Sequence, residues 1–123
     1  MAKERLIGVV DDDESVREAL LELLRELGFV ARAFFSAREF LASDYLDRVE
    51  CLILDVAMPG LSGPGLHREI KARGKRIPII FITAHGNEST RAGLLEQGAE
   101  ECLLKPFNDI DLREALDTVF RVP

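Results

Sequence analysis

The chain lacks any apolar run long enough to cross a bilayer as a helix. Its longest, residues 77–84, contains Pro78 and falls far short of the roughly 20 residues that a spanning helix needs. The opening residues MAKERLIGVV carry no apolar core and no small-residue cleavage site, so no export signal is expected and the cytoplasm is the expected compartment, with no membrane contact. Cysteine is scarce: Cys51 and Cys102 each sit in an apolar, strand-like segment, without metal-type spacing, and are expected to serve as small buried hydrophobes. Positive charge is in deficit as well. Sixteen Lys and Arg against 22 Asp and Glu give a formal charge of −6, which argues against direct nucleic-acid binding by this chain, because phosphate recognition needs clustered cations. Any partner is expected to be engaged through protein contacts. No repeat, linker or low-complexity stretch interrupts the 123 residues, and 47% hydrophobic with 31% charged residues describe one globular domain spanning 1–123.

Apolar runs and helical patterns alternate along the chain. Residues 6–10, 29–34, 51–56, 77–82 and 99–104 read as strands. Between the first two, Val16, Ala19, Leu20, Leu23, Leu24 and Leu27 recur at helical spacing until Gly28 stops them. Ser36 is placed to cap a short helix carrying Phe40 and Leu41, and 43–50 is expected to be a polar connection. In the loop after the third strand, Pro59, Gly60, Gly63 and Pro64 delay the next helix to 66–72, where His67 is expected on an exposed face. Asn87 or Ser89 then begins a helix running to Gly98, and Asn108 or Asp109 caps the last one. Five strands alternating with five helices predict an α/β domain with a parallel sheet covered on both faces. In such a sheet the ligand site lies beyond the carboxyl ends of the strands.

The polar residues that end the predicted strands are Asp11 and Asp12, then Asp55, Thr83 and Lys105. Three ionised carboxylates against one ammonium leave the pocket two positive charges short. A divalent cation fits that deficit, and an all-oxygen donor set favours Mg2+, with Mn2+ as a substitute, over zinc. A carboxylate flanked by a metal and a lysine can act as nucleophile towards a phosphoryl donor. Asp13 and Glu14 fall instead at the start of the first helix, where acids cap it and complement its dipole. Calcium looping is rejected because Val16 stands where an EF-hand requires glycine.

The segments VVDDDESVR, LILDVAMPGLSGPGL, PIIFITAHG and LLKPF, in this order and spacing, resemble the receiver domains of two-component response regulators over essentially all of residues 5–121. The wording MPGLSG and TAHGN is closest to FixJ-type receivers. The resemblance implies a flavodoxin-like (βα)5 fold, strand order 2-1-3-4-5, and a signalling phosphoacceptor that catalyses only its own phosphotransfer and slow self-dephosphorylation. Asp55 would take the phosphoryl group from the phosphohistidine of a partner sensor histidine kinase. Asp12 would bind Mg2+ directly, Asp11 mainly through metal-bound water, and the main-chain carbonyl of Ala57 would be a third protein ligand beside Asp55. Lys105 would pair with Asp55 and then with a phosphoryl oxygen, its bond to Pro106 being cis. Thr83 would bond the phosphoryl group, small Ala84 would leave room for its oxygens, and His85 would tune dephosphorylation. The responding surface would be the fourth helix, fifth strand and fifth helix, 87–120, used for homodimerisation or for control of an output domain or effector protein, including transcriptional control.

One position departs from the pattern. Cys102 stands where receivers usually carry an aromatic ring three residues before the lysine, which puts the usual coupling of pocket to output face in question. It motivates an alternative reading as a receiver-like interaction module that signals without phosphorylation. A Mg2+-dependent phosphatase with an Asp nucleophile is a third reading, but no DxDx(T/V) follows the first strand and the position two beyond Asp55 is Ala57. With no effector domain following in the sequence, a single-domain regulator and a piece of a longer one both remain open.

Overall fold

The computed structural model describes residues 5–84 and 88–121. Five parallel strands form one sheet in the order β2-β1-β3-β4-β5: β1 is Leu6–Val10, β2 Val30–Phe34, β3 Cys51–Asp55, β4 Ile79–Thr83 and β5 Glu101–Leu104. The helices are α1 Glu14–Glu26, α2 Ala37–Leu41, α3 Gly63–Ala72, α4 Glu88–Glu96 and α5 Asp109–Val119. The parallel sheet is the one expected from the alternating pattern, and its order is the flavodoxin-like one that the resemblance implies.

The period-2 geometry of strands sorts their apolar runs onto two cores. On one face Val10, Leu52, Leu54, Ile79, Phe81 and Cys102 pack with Phe40, Leu66, Ile70 and Leu94 from α2, α3 and α4. On the other, Ile7, Val9, Cys51, Ile53, Ile80 and Ile82 pack with Leu20 and Leu24 of α1 and Leu112, Ala115 and Leu116 of α5. The two cysteines therefore lie on opposite faces, with β4 between their strands, and both are free and buried. Burial pushes the Cys51 thiol up to about 12, so it stays a neutral apolar filler at physiological pH.

Local chemistry ends the helices as the residue types demand. Asp13 caps α1 by accepting from the N–H groups of Ser15 and Val16, Ser36 caps α2, and Asn108 and Asp111 cap α5 reciprocally. The structure corrects several sequence expectations. The 43–50 connection contains a 3-10 turn, Asp44–Asp47. Helix α3 starts at Gly63 rather than 66, because Ser62 caps it and Pro64 lies in the first turn, where its missing N–H is not needed. His67 is buried rather than exposed: the inward stripe of α3 includes Gly63, Leu66, His67 and Ile70, and the imidazole meets the Phe81 ring edge-on with centroids 5.8 Å apart. Burial, then the nearby Lys71 and Arg68, hold its pKa below the ordinary histidine value.

Of the described glycines, Gly63 leaves the least room for a side chain. A Cβ there would lie 2.3 Å from the Asp55 carbonyl oxygen and 3.1 Å from Cε1 of Phe81. A Cβ on Gly93, in α4, would meet nothing within 4 Å. Gly63→Ala is therefore expected to lower the unfolding free energy by about 2–3 kcal/mol, through overpacking against a backbone that cannot yield. Gly93→Ala is expected to raise it by up to about 1 kcal/mol, by helix propensity. Urea denaturation of both variants measures the contrast.

Candidate functional site

Beyond the carboxyl ends of β1, β3, β4 and β5 the sheet brings together residues that are far apart in sequence. Asp11 directly follows β1, Asp55 ends β3, Thr83 ends β4 and Lys105 directly follows β5. One carboxylate oxygen from each of Asp11, Asp12 and Asp55 can be chosen so that all three lie within 4.8 Å of one another. Asp11 is 0% exposed and Asp55 7% exposed, while Asp12 faces solvent. Crowded like charges at a half-dry edge attract a cation, and oxygen donors at this separation fit Mg2+ or Mn2+. The donor set therefore suits the ion that the charge deficit called for.

Among the described residues, Lys105 supplies the ammonium of this site. Its Nζ lies 3.3 Å from Oδ2 of Asp11 and 3.6 Å from Oδ1 of Asp55, so it bridges both acids rather than pairing with Asp55 alone. Its backbone N–H donates to the Thr83 carbonyl at 2.8 Å, which ties the ends of β4 and β5 together, and the Lys105–Pro106 bond is cis. Thr83 is buried beside this junction, and Val56, just past Asp55, donates its N–H to the Ile82 carbonyl at 2.9 Å. Ala57 and Ala84 are exposed at the rim. His85 lies outside the described residues.

Burial and then the Asp11 carboxylate raise the Asp55 carboxyl above its ordinary value; Lys105 and the backbone N–H of Ala57 act the other way, and Asp12 adds to the rise. Asp13 behaves oppositely. Bonds from the Ser15 side chain and from the Val16 and Ser15 N–H groups hold it below its ordinary value, so its charge belongs to the helix cap and not to the pocket.

Two contributors escaped the sequence reading. Gly63 lets α3 close against the backbone of Asp55 itself, and Arg17 donates from Nη1 to the Asp11 carbonyl oxygen at 2.8 Å. A signal for Arg17 was available: a cation near the start of a helix, behind four acids, opposes the helix dipole and asks for a local partner.

Comparison with known proteins shows the family and the fold. The family model for the response regulator receiver domain matches residues 7–117. The chain is 43% identical over 111 residues to nodulation protein W of Bradyrhizobium diazoefficiens, covering 90% of this chain and 49% of that protein. It is 41% identical over 104 residues to the transcriptional regulatory protein FixJ of Azorhizobium caulinodans, covering 84% and 49%. The chain thus spans about half the length of the curated relatives it matches. A solved structure, FixJ-N, superposes with a TM-score of 0.85 at 32% identity, over 99% of each chain.

The sign of the Asp55 shift generates a pH prediction. A carboxyl whose folded-state pKa is raised binds its proton more tightly when folded, so its contribution to stability is fully present below the unfolded value and is lost as pH rises through the folded one. At pH 7, without added metal, ionised Asp55 therefore weakens the fold. Asp55→Asn is expected to raise the melting temperature by a few degrees at pH 7, and this advantage should shrink as pH falls towards the ordinary carboxylate range. Thermal melts of both proteins across that range, in chelator, measure the effect.

Proposed function

The chain belongs to the response regulator receiver domain family of two-component signalling, and from that premise we propose that Asp55 accepts a phosphoryl group from the phosphohistidine of a partner sensor histidine kinase in a Mg2+-dependent reaction. The observation that carries this reading is the meeting of Asp11, Asp12 and Asp55 within 4.8 Å, with Lys105 across them.

The chain's own groups have separable tasks. Asp55 ends β3, its backbone carbonyl lies against the first turn of α3, and its carboxylate lies beside Lys105 and the Ala57 N–H. Its oxygen attacks phosphorus as the bond to the donor nitrogen breaks, giving an acyl phosphate. Lys105 orients the carboxylate and stands ready for a phosphoryl oxygen. Asp11 and Asp12, with Asp55 and the Ala57 carbonyl, would hold Mg2+, which when bound neutralises charge on the transferred oxygens. Thr83 offers its hydroxyl from the neighbouring strand end. Turnover of external substrates is not part of this role; slow self-dephosphorylation is.

Adding an acyl phosphate shifts an existing equilibrium of the domain towards its active form. The proposed readout is the α4-β5-α5 surface, whose Leu104 and Ile110 are 53% and 60% exposed, acting through homodimerisation or through an output domain or effector protein. The names of relatives such as the transcriptional regulatory protein FixJ favour transcriptional control as the output, and the cytoplasm is the proposed compartment. Among the described residues no helix is long and apolar enough to cross a membrane.

The phosphorylation-independent alternative rests on Cys102. That thiol is buried, stands opposite Phe81 in the sheet, and packs in the core that includes Leu94 and Ala99. Beside it, Oε1 of Glu101 accepts from Nη2 of Arg91 at 2.6 Å and from the Cys102 N–H at 3.0 Å, which joins α4 to β5 without an aromatic ring. The intact Asp11, Asp12, Asp55, Thr83 and Lys105 set speaks against that alternative.

Two measurements test the proposal. Incubation with Mg2+ and acetyl phosphate is expected to give a single phosphoryl adduct by intact mass, removed by hydroxylamine and abolished by chelation or by Asp55→Asn. Absence of the adduct with both acetyl phosphate and a cognate kinase would overturn it. Cys102→Phe is expected to lower stability by about 1–3 kcal/mol, because the closed site must be overpacked, while still forming the adduct. Urea denaturation and the same mass assay read the two effects.

A further inference from the structure

Asp11 is fully buried just past the end of β1, and each of its polar groups is engaged. Its N–H donates to the Phe34 carbonyl at 3.2 Å. Oδ1 accepts from the Asp13 N–H at 2.9 Å and Oδ2 faces Lys105 at 3.3 Å. The remaining group, the backbone carbonyl, lies beyond the last register pair of β1 with β3, Val10 with Leu54, and it takes the guanidinium of Arg17 at 2.8 Å. A buried carbonyl without a donor is costly, so this bond is one the fold depends on locally.

Asp12 sits between two tethered residues. Arg17 holds Asp11 from the helix side, and Asp13 is pinned by its cap to Ser15 and Val16. We propose that Arg17 is a positioning residue for the cation pocket: by holding the Asp11 carbonyl it fixes the turn between β1 and α1 and so the direction in which Asp12 presents its carboxylate. This rests on the Mg2+-dependent reading above. It also accounts for a cation placed against the dipole of α1. Two effects of Arg17 on a bound cation oppose one another. Its charge repels the ion, but across a solvent-facing mouth that repulsion is screened. Its bond to a buried carbonyl is direct and charge-assisted, and the loss of positioning is expected to dominate.

The test is calorimetric titration with Mg2+ of the full chain, the Arg17→Met, Arg17→Gln and Arg17→Lys variants, and Arg73→Met as a control that removes a surface pair with Glu69. Arg17→Met and Arg17→Gln are expected to weaken Mg2+ binding roughly tenfold, the size typical of lost outer-shell support. Arg17→Lys, which keeps a cationic donor for a single acceptor, is expected to recover most of this. Thermal melts in chelator accompany each titration, since a purely structural role would lower the melting temperature without moving the Mg2+ midpoint of the folded protein. If Arg17→Met does not fold, Arg17→Gln decides. Midpoints unchanged within about twofold, or tightened as relief of repulsion would give, overturn the inference while leaving the proposed function standing. A wild-type chain without saturable Mg2+ binding overturns the proposed function and this inference together.

Discussion

Everything at the carboxyl edge of the sheet depends on a concentration of negative charge that the fold creates and only partly relieves. Asp11 and Asp55 are drawn out of water with their charges close together, and Asp12 adds a third at the rim. One lysine bridges the two buried acids. Burial and mutual repulsion raise the Asp55 carboxyl, so the pocket holds an unfavourable interaction that a cation or a proton would relieve. That is the physical basis for reading this edge as a reactive site and not as an ornament of loop ends.

The rest of the domain holds that charge in place. Two dry cores clamp the sheet, one under α2, α3 and α4 and the other under α1 and α5, and between them they set the strand ends to within the reach of one side chain. Gly63 brings the first turn of α3 against the Asp55 carbonyl, and Asp11 is bonded through every polar atom it has. Gly63 makes no contribution to chemistry by itself. Its effect, together with the bonds to Asp11, is to fix where the Asp55 backbone and the Asp11 carboxylate stand.

Away from the pocket, the structure replaces one expected element with others. The missing ring at Cys102 leaves a small thiol in a closed core, and the tie between α4 and β5 is an ion pair, Arg91 with Glu101, that also accepts the Cys102 N–H. On the α3 side a buried, neutral-leaning His67 packs on Phe81, two residues before Thr83 in β4. Strand β4 thus has one end in the pocket and its middle in contact with α3 and β5.

Much of this was legible in the sequence, because its signals are local. Apolar periodicity distinguished strands from helices, cap residues such as Asp13, Ser36 and Asn108 marked helix starts, and the acids, hydroxyl and ammonium fell at strand ends where the topology rule directs attention. The sequence by itself therefore determined the α/β class, the strand order through its resemblance, and the candidates Asp11, Asp12, Asp55, Thr83 and Lys105. It misplaced His67 because inward and outward positions on a short helix differ by one residue, and which side is covered depends on how the helix lies on the sheet. It could not show that Lys105 bridges two acids, that Gly63 presses on Asp55, or that Arg17 takes the Asp11 carbonyl. Those facts are distances between elements, and only the strand order of the sheet and the packing of α1 and α3 against the strand ends decided them.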